Sequence, residues 1–218
     1  MGKTTEQQVK EYFDNNIDNL ADSRFHYLSR NYAMSGEKLY LDSISNNELD
    51  KCPKDKASFI ITVKKIINSN PVDYYAQMSV AAEIRRPYYE KYKEMFLLCQ
   101  ILYVYFSSKN IWKVDFKSEL LSIISEQEFK VIYQKILNDL EDMFIISTTA
   151  VNFAVLCNRL FNFENGLEEK LIEFGVKKLE EKIKTLPLTI QLYFITHVVI
   201  ADTEFYFNKN ISTGKYHR

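Results

Sequence analysis

Glycine occurs five times and proline four times in 218 residues, against average usage of about 7% and 5%. Tight β-turns, bulges and phosphate-cradling loops draw on these two residues, so this chain has little means of making the frequent reversals of a sandwich, a barrel or a glycine-rich nucleotide fold. A chain that reverses seldom and runs long between reversals is helical. Hydrophobic residues make up 46% and aromatic residues 14%, and a chain of this size buries about 70% of its unfolded surface, which excludes intrinsic disorder. The expected fold class is all-α: a single domain over 1–218, built as a compact array of about eight mostly antiparallel helices.

The spacing of apolar side chains places those helices. Phe129, Ile132, Tyr133, Ile136, Leu137, Leu140, Met143 and Phe144 recur at steps of three and four, which predicts a helix over 126–144. Ser125 followed by Glu128 reads as its capping box. Asn165, before Gly166, reads as the cap of an amphipathic, peripheral helix carrying Leu167, Leu171, Phe174 and Ile183. Asn70–Pro71 opens another helix, with Pro71 at the first helical position, where its missing N–H costs nothing. Pro87 is expected to break that run and lead into a second helix over 87–107, where Tyr89, Tyr92, Phe96, Cys99, Tyr103 and Phe106 form an aromatic stripe.

Residues 4–20 and 22–34 read as helices, 36–57 as a long polar connection and 212–218 as a flexible tail. Residues 143–158 and 186–201 carry no formal charge, yet each is shorter than a membrane span of about 20 residues and is interrupted by polar side chains. They predict helices apolar on nearly all sides, with 143–161 and 188–208 at the centre of the array.

Charge and motifs exclude more functions than they suggest. The 28 basic and 29 acidic residues leave a net charge of -1, and the lysine-rich stretches are interleaved with acids, so no basic face for nucleic acid is expected. Cys52, Cys99 and Cys157 lie far apart, which predicts neither a disulfide framework nor a zinc site. The N-terminus has no apolar leader, and the expected location is cytoplasmic, away from membranes. No Walker loop, GxGxxG fingerprint, GxSxG elbow or HExxH pair is present. No residue is therefore assigned a catalytic or metal-ligating role, and no cofactor is implied.

Two sets of residues stand out as candidate sites. His26 and His197 are the histidines placed to act as acid–base groups, and Asp22 lies one helical turn before His26. Leu20-Ala21-Asp22-Ser23-Arg24-Phe25-His26-Tyr27 echoes Ile200-Ala201-Asp202-Thr203-Glu204-Phe205-Tyr206-Phe207. If those segments met, Asp22, His26, His197 and either Asp202 or Glu204 would form a carboxylate and imidazole cluster lining one pocket. The competing reading makes His197 a core histidine hydrogen-bonded to a backbone carbonyl or a tyrosine, Asp22 a helix cap and Glu204 a solvated side chain. The second set is Arg85, Arg86, Tyr88 and Tyr89, with Tyr74, Tyr75, Tyr92, Tyr103 and Tyr105 beside them, whose guanidinium and phenol groups suit an anionic or peptide ligand or a protein partner.

The leading expectation is a non-catalytic helical module that binds a protein or peptide. The alternative is a small enzyme or ligand-binding protein with a central pocket around His197, using carboxylate and imidazole groups for acid–base or metal chemistry. The sequence does not fix an oligomeric state.

Overall fold

The computed structural model describes residues 52–70, 80–181 and 186–202. The helices read at 4–20 and 22–34, the helix start at Pro71 and the tail at 212–218 lie outside the described residues. Among the described residues all regular structure is helical. The helices are α1 (Lys56–Ile67), α2 (Val80–Lys91), α3 (Lys93–Trp112), α4 (Lys117–Leu121), α5 (Glu126–Leu137), α6 (Leu140–Ile146), α7 (Thr148–Phe161), α8 (Leu167–Glu180) and α9 (Leu188–Asp202). They share one continuous core, so the described part of the chain is the compact all-α array that the sequence predicts.

Local chemistry starts several of these helices where the sequence indicates. Ser125 Oγ accepts from the Glu128 N–H at 3.2 Å, and the Glu128 carboxylate accepts from the Ser125 N–H at 2.8 Å, closing the capping box of α5. Asp55 and Ser58 do the same for α1, with the Ser58 N–H donating to Asp55 Oδ1 at 3.0 Å. Helix α8 begins one residue later than expected. Gly166, not Asn165, occupies its cap, with φ at +73°, a conformation that favours glycine.

Two predicted helices are cut differently. Helix α2 runs through Pro87 and ends at Lys91, and the break falls at Tyr92 (φ −121°, ψ 28°). Pro87 withholds a donor from the Glu83 carbonyl, but both residues are exposed, so water can take that acceptor. At Lys91 the competition is stronger, because Lys135 Nζ from α5 donates to the Lys91 carbonyl at 2.7 Å. The expected 126–144 helix is two helices, α5 and α6. Asp139 ends the first by capping the second, accepting from the Asp142 N–H at 3.2 Å while its carboxylate pairs with Lys91 at 3.0 Å.

Helix α7 is central, with every residue from Ala150 to Asn158 buried, and it packs against α3, α5, α6, α8 and α9. Two pairs of neighbouring helices run in opposite directions. Helix α2 faces α6 through Arg85–Ile145 and Lys91–Asp139, and α6 faces α8 through Phe144–Phe174 and Glu141–Lys178, both antiparallel. The non-consecutive α3, α7 and α9 run in one sense, because Cys99 meets Thr149 while Tyr103 meets Asn152, and Ser147 meets Ile190 while Asn152 meets His197.

No single helix among the described residues is long and apolar enough to cross a membrane. Helices α6 and α7 reach that length only as a pair, and they turn through 116° at Ser147. The corner is built by Ser147 itself, at φ 59° and ψ −114°, with its N–H donating to the Met143 carbonyl at 2.7 Å and its hydroxyl to the Ile190 carbonyl at 3.1 Å.

Candidate functional site

A chain of polar side chains crosses the three like-directed helices. Asn152, fully buried in α7, donates its amide N–H to the Tyr103 hydroxyl of α3. Its amide oxygen lies 3.2 Å from Nδ1 of His197 in α9. With the Asn152 nitrogen engaged by Tyr103, the oxygen is the acceptor, so His197 carries its proton on Nδ1 and presents the lone pair of Nε2. Tyr103 in turn lies against the Cys99 thiol, which donates to the Thr149 carbonyl at 3.5 Å. The Asn152 amide is satisfied on both sides, as buried polar groups usually are.

His197 is partly buried, and burial first, then the positive charge of Arg85, lowers its pKa from 6.5 to about 4. The imidazole is therefore neutral at pH 7. Tyr193, one turn earlier on α9, stands edge-on to it with ring centroids 6.0 Å apart. Arg85 reaches the same place from α2. Its Nε donates to the Ile145 carbonyl at the end of α6 at 3.1 Å, two residues before the Ser147 corner that touches α9. Its Nη2 is buried and meets no hydrogen-bond acceptor. Burial weakens the hold of the guanidinium on its proton, and the electrostatic influence of Tyr89 and Tyr193 partly offsets this. No carboxylate among the described residues pairs with Arg85.

The candidates read from sequence thus distribute unevenly. His197 and Arg85, assigned there to separate sites, occupy one neighbourhood. Tyr89 is only 4% exposed and packs edge-on against Phe96 at 5.1 Å, so it belongs to the interior beside Arg85. Tyr88 is half-buried near Asp142 and Lys91, whereas Arg86 is exposed. Asp202 is the last residue of α9, and its side chain lies outside the description, as do Asp22, His26 and Glu204. Among the described residues, no three His, Cys, Asp or Glu side chains gather in a way that would hold a metal ion.

Sequence reasoning missed Asn152 and Tyr193 as members of the site. Asn152 carried a usable signal, because a lone amide inside the run Ala150–Cys157 must find partners within the core. It also missed a shallow groove of about 240 Å³ between α5 and the turn before α8, lined by Lys130, Tyr133, Phe163, Glu164 and Lys170. There the Tyr133 hydroxyl is buried close to Glu164 without closing a hydrogen bond of normal geometry. Burial and that negative charge both disfavour the phenolate.

No family model, curated protein or solved structure matches this chain.

Proposed function

We propose that the chain is a non-catalytic helical module that binds a protein or peptide partner along the outer face of α9. One observation carries the reading. Helix α9 has no charged side chain from Leu188 to Ala201, and while Ile190, Phe194, Val198 and Ala201 fill the core, Leu188, Leu192 and Tyr193 remain 61%, 44% and 50% exposed. Leu188 and Leu192 stand at the i, i+4 spacing of helix-borne anchors, and Tyr193 follows Leu192 directly, within the same two turns. A large exposed tyrosine flanked by leucines is a composition enriched at recognition surfaces through its aromatic member.

The chemistry at His197 favours binding over catalysis. An imidazole with a pKa of about 4 is a weak base at neutral pH. Its Nδ1 partner is an amide, not a carboxylate able to stabilise the imidazolium.

Selection of displayed peptides against the full chain tests the proposal. Selected peptides should lose about tenfold or more in affinity with Tyr193→Ala and with Leu192→Asp. Val131→Asp, at an exposed position on α5, should leave them unchanged. Peptides indifferent to both α9 substitutions would refute it.

A further inference from the structure

We propose that Arg85 and His197 form a binding site for a small oxyanion group, phosphoryl or carboxylate, at the junction of α2, α6 and α9. This inference does not depend on the α9 face binding a partner.

The geometry starts from Arg85. Its Nε is committed to the Ile145 carbonyl, which fixes the guanidinium against the end of α6, and its buried Nη2 is left without an acceptor. A buried cationic N–H with no partner is a costly arrangement, relieved most directly by an anionic oxygen, because charge-assisted bonds from guanidinium to oxyanions are among the strongest in proteins. The second donor is latent. Asn152 holds Nδ1 of His197, so Nε2 is the nitrogen that takes up a proton, and a protonated Nε2 donates to a second oxygen of the same group. Tyr193, half exposed and edge-on to the His197 ring, stands at the solvent edge of the pair.

Among the described residues nothing compensates the pair internally. Helix α7 faces His197 with the neutral Asn152. Helix α8 approaches α9 with Phe174 and Gly175, and its Lys178 pairs with Glu141 and Glu181. On α6, Glu141 is taken by Lys178, and Asp142 by Lys91 and the Tyr92 hydroxyl. Among the described residues, Arg85 is the charged group that acts on His197, and Tyr89 and Tyr193 are the titratable groups that act on Arg85. An entering anion reverses the field at His197, and binding then takes up a proton.

Proton uptake gives a signature that adventitious surface binding lacks. Sulfate keeps a constant charge over the accessible pH range, so any pH dependence of its binding belongs to the protein. Calorimetric titration of the full chain with sulfate should show one saturable site that tightens roughly tenfold from about pH 7.5 to about pH 5.5, as follows when the bound anion restores the imidazole to near its ordinary pKa. Arg85→Gln should abolish binding at both pH values. His197→Gln should retain it with no pH dependence.

Acetate in place of sulfate distinguishes the two ligand classes, the tighter binder naming the natural chemistry. An imidazole NMR titration of the wild-type chain gives a readout independent of variant folding, because sulfate should raise the His197 pKa. Absence of saturable binding by the wild-type chain at the lower pH, or an unmoved His197 titration, would overturn the proposal.

Discussion

His197 and Gly175 show how single residues set conditions on the fold. In the folded chain the imidazole resists protonation down to about pH 4, whereas in the unfolded chain it protonates near 6.5. Between those values the unfolded state binds more protons, so stability contributed by the neutral ring is present above 6.5 and is lost as pH falls toward 4. The difference amounts to about 3 kcal/mol. Denaturant unfolding of the wild-type chain should show this loss, and His197→Gln should flatten the curve over the same window. Gly175 is buried where α8 crosses α9, and a Cβ there would meet Ile195 Cγ1 at 2.8 Å and Phe194 Cδ1 at 2.9 Å. Those atoms sit on a packed helix, so Gly175→Ala should destabilise by about 1–3 kcal/mol despite the better helix propensity of alanine. A midpoint unchanged in urea would show that the two helices separate at little cost.

Among the elements, the α6–α7 corner concentrates the most strain. A serine at φ 59° and ψ −114° sits where L-residues are disfavoured by about 1–3 kcal/mol, and its hydroxyl bond to the Ile190 carbonyl offsets part of this. Ser147→Ala keeps the strain and loses the bond, and should cost about 1 kcal/mol. Ser147→Gly loses the bond and relieves the strain, and should lie near neutrality, with both changes read from urea midpoints. Legibility in the sequence divides along the same line between local and distant causes. The Ser125–Glu128 box and the helical period of 126–137 were readable because every participant lies within a few residues. The break at Tyr92 was not, because Lys135 takes the Lys91 carbonyl from another helix. The 116° corner in the uncharged stretch was equally hidden, since the Ser147 conformation is held by Ile190 of α9. At the site, His197 and Arg85 were each identifiable as unusual residues, but nothing in their spacing announced that α2 and α9 meet at the end of α6.

At the scale of the whole molecule, the polar chain from Tyr103 through Asn152 to His197 ties together the three helices that run in one sense. Apolar packing alone specifies such helices weakly, because a slide along the axis exchanges one greasy contact for another. A buried amide bonded on both sides penalises any slide by leaving its partners unsatisfied. Asn152→Ala should therefore do more than lower stability. It strips the acceptor from His197 Nδ1, at about 1–3 kcal/mol for the group left unpaired, against a total of about 5–15 kcal/mol for a domain, while the Tyr103 hydroxyl loses one donor and keeps its contact with the Cys99 thiol. Helix α9 rests on α6, α7 and α8, and α3 on α1, α2, α5 and α7, but α3 also keeps the Cys99 bond to the Thr149 carbonyl of α7, so the loosened register should release α9 first. Native-state hydrogen exchange should show this directly. In the wild-type chain, the slowest amides of α3, α7 and α9 should exchange together at the global unfolding free energy. In Asn152→Ala, those of α9 should exchange by a cheaper opening while α3 and α7 remain joined. If all three helices became faster by the same factor, the amide would be one more contributor to stability rather than the link that sets the alignment of the array.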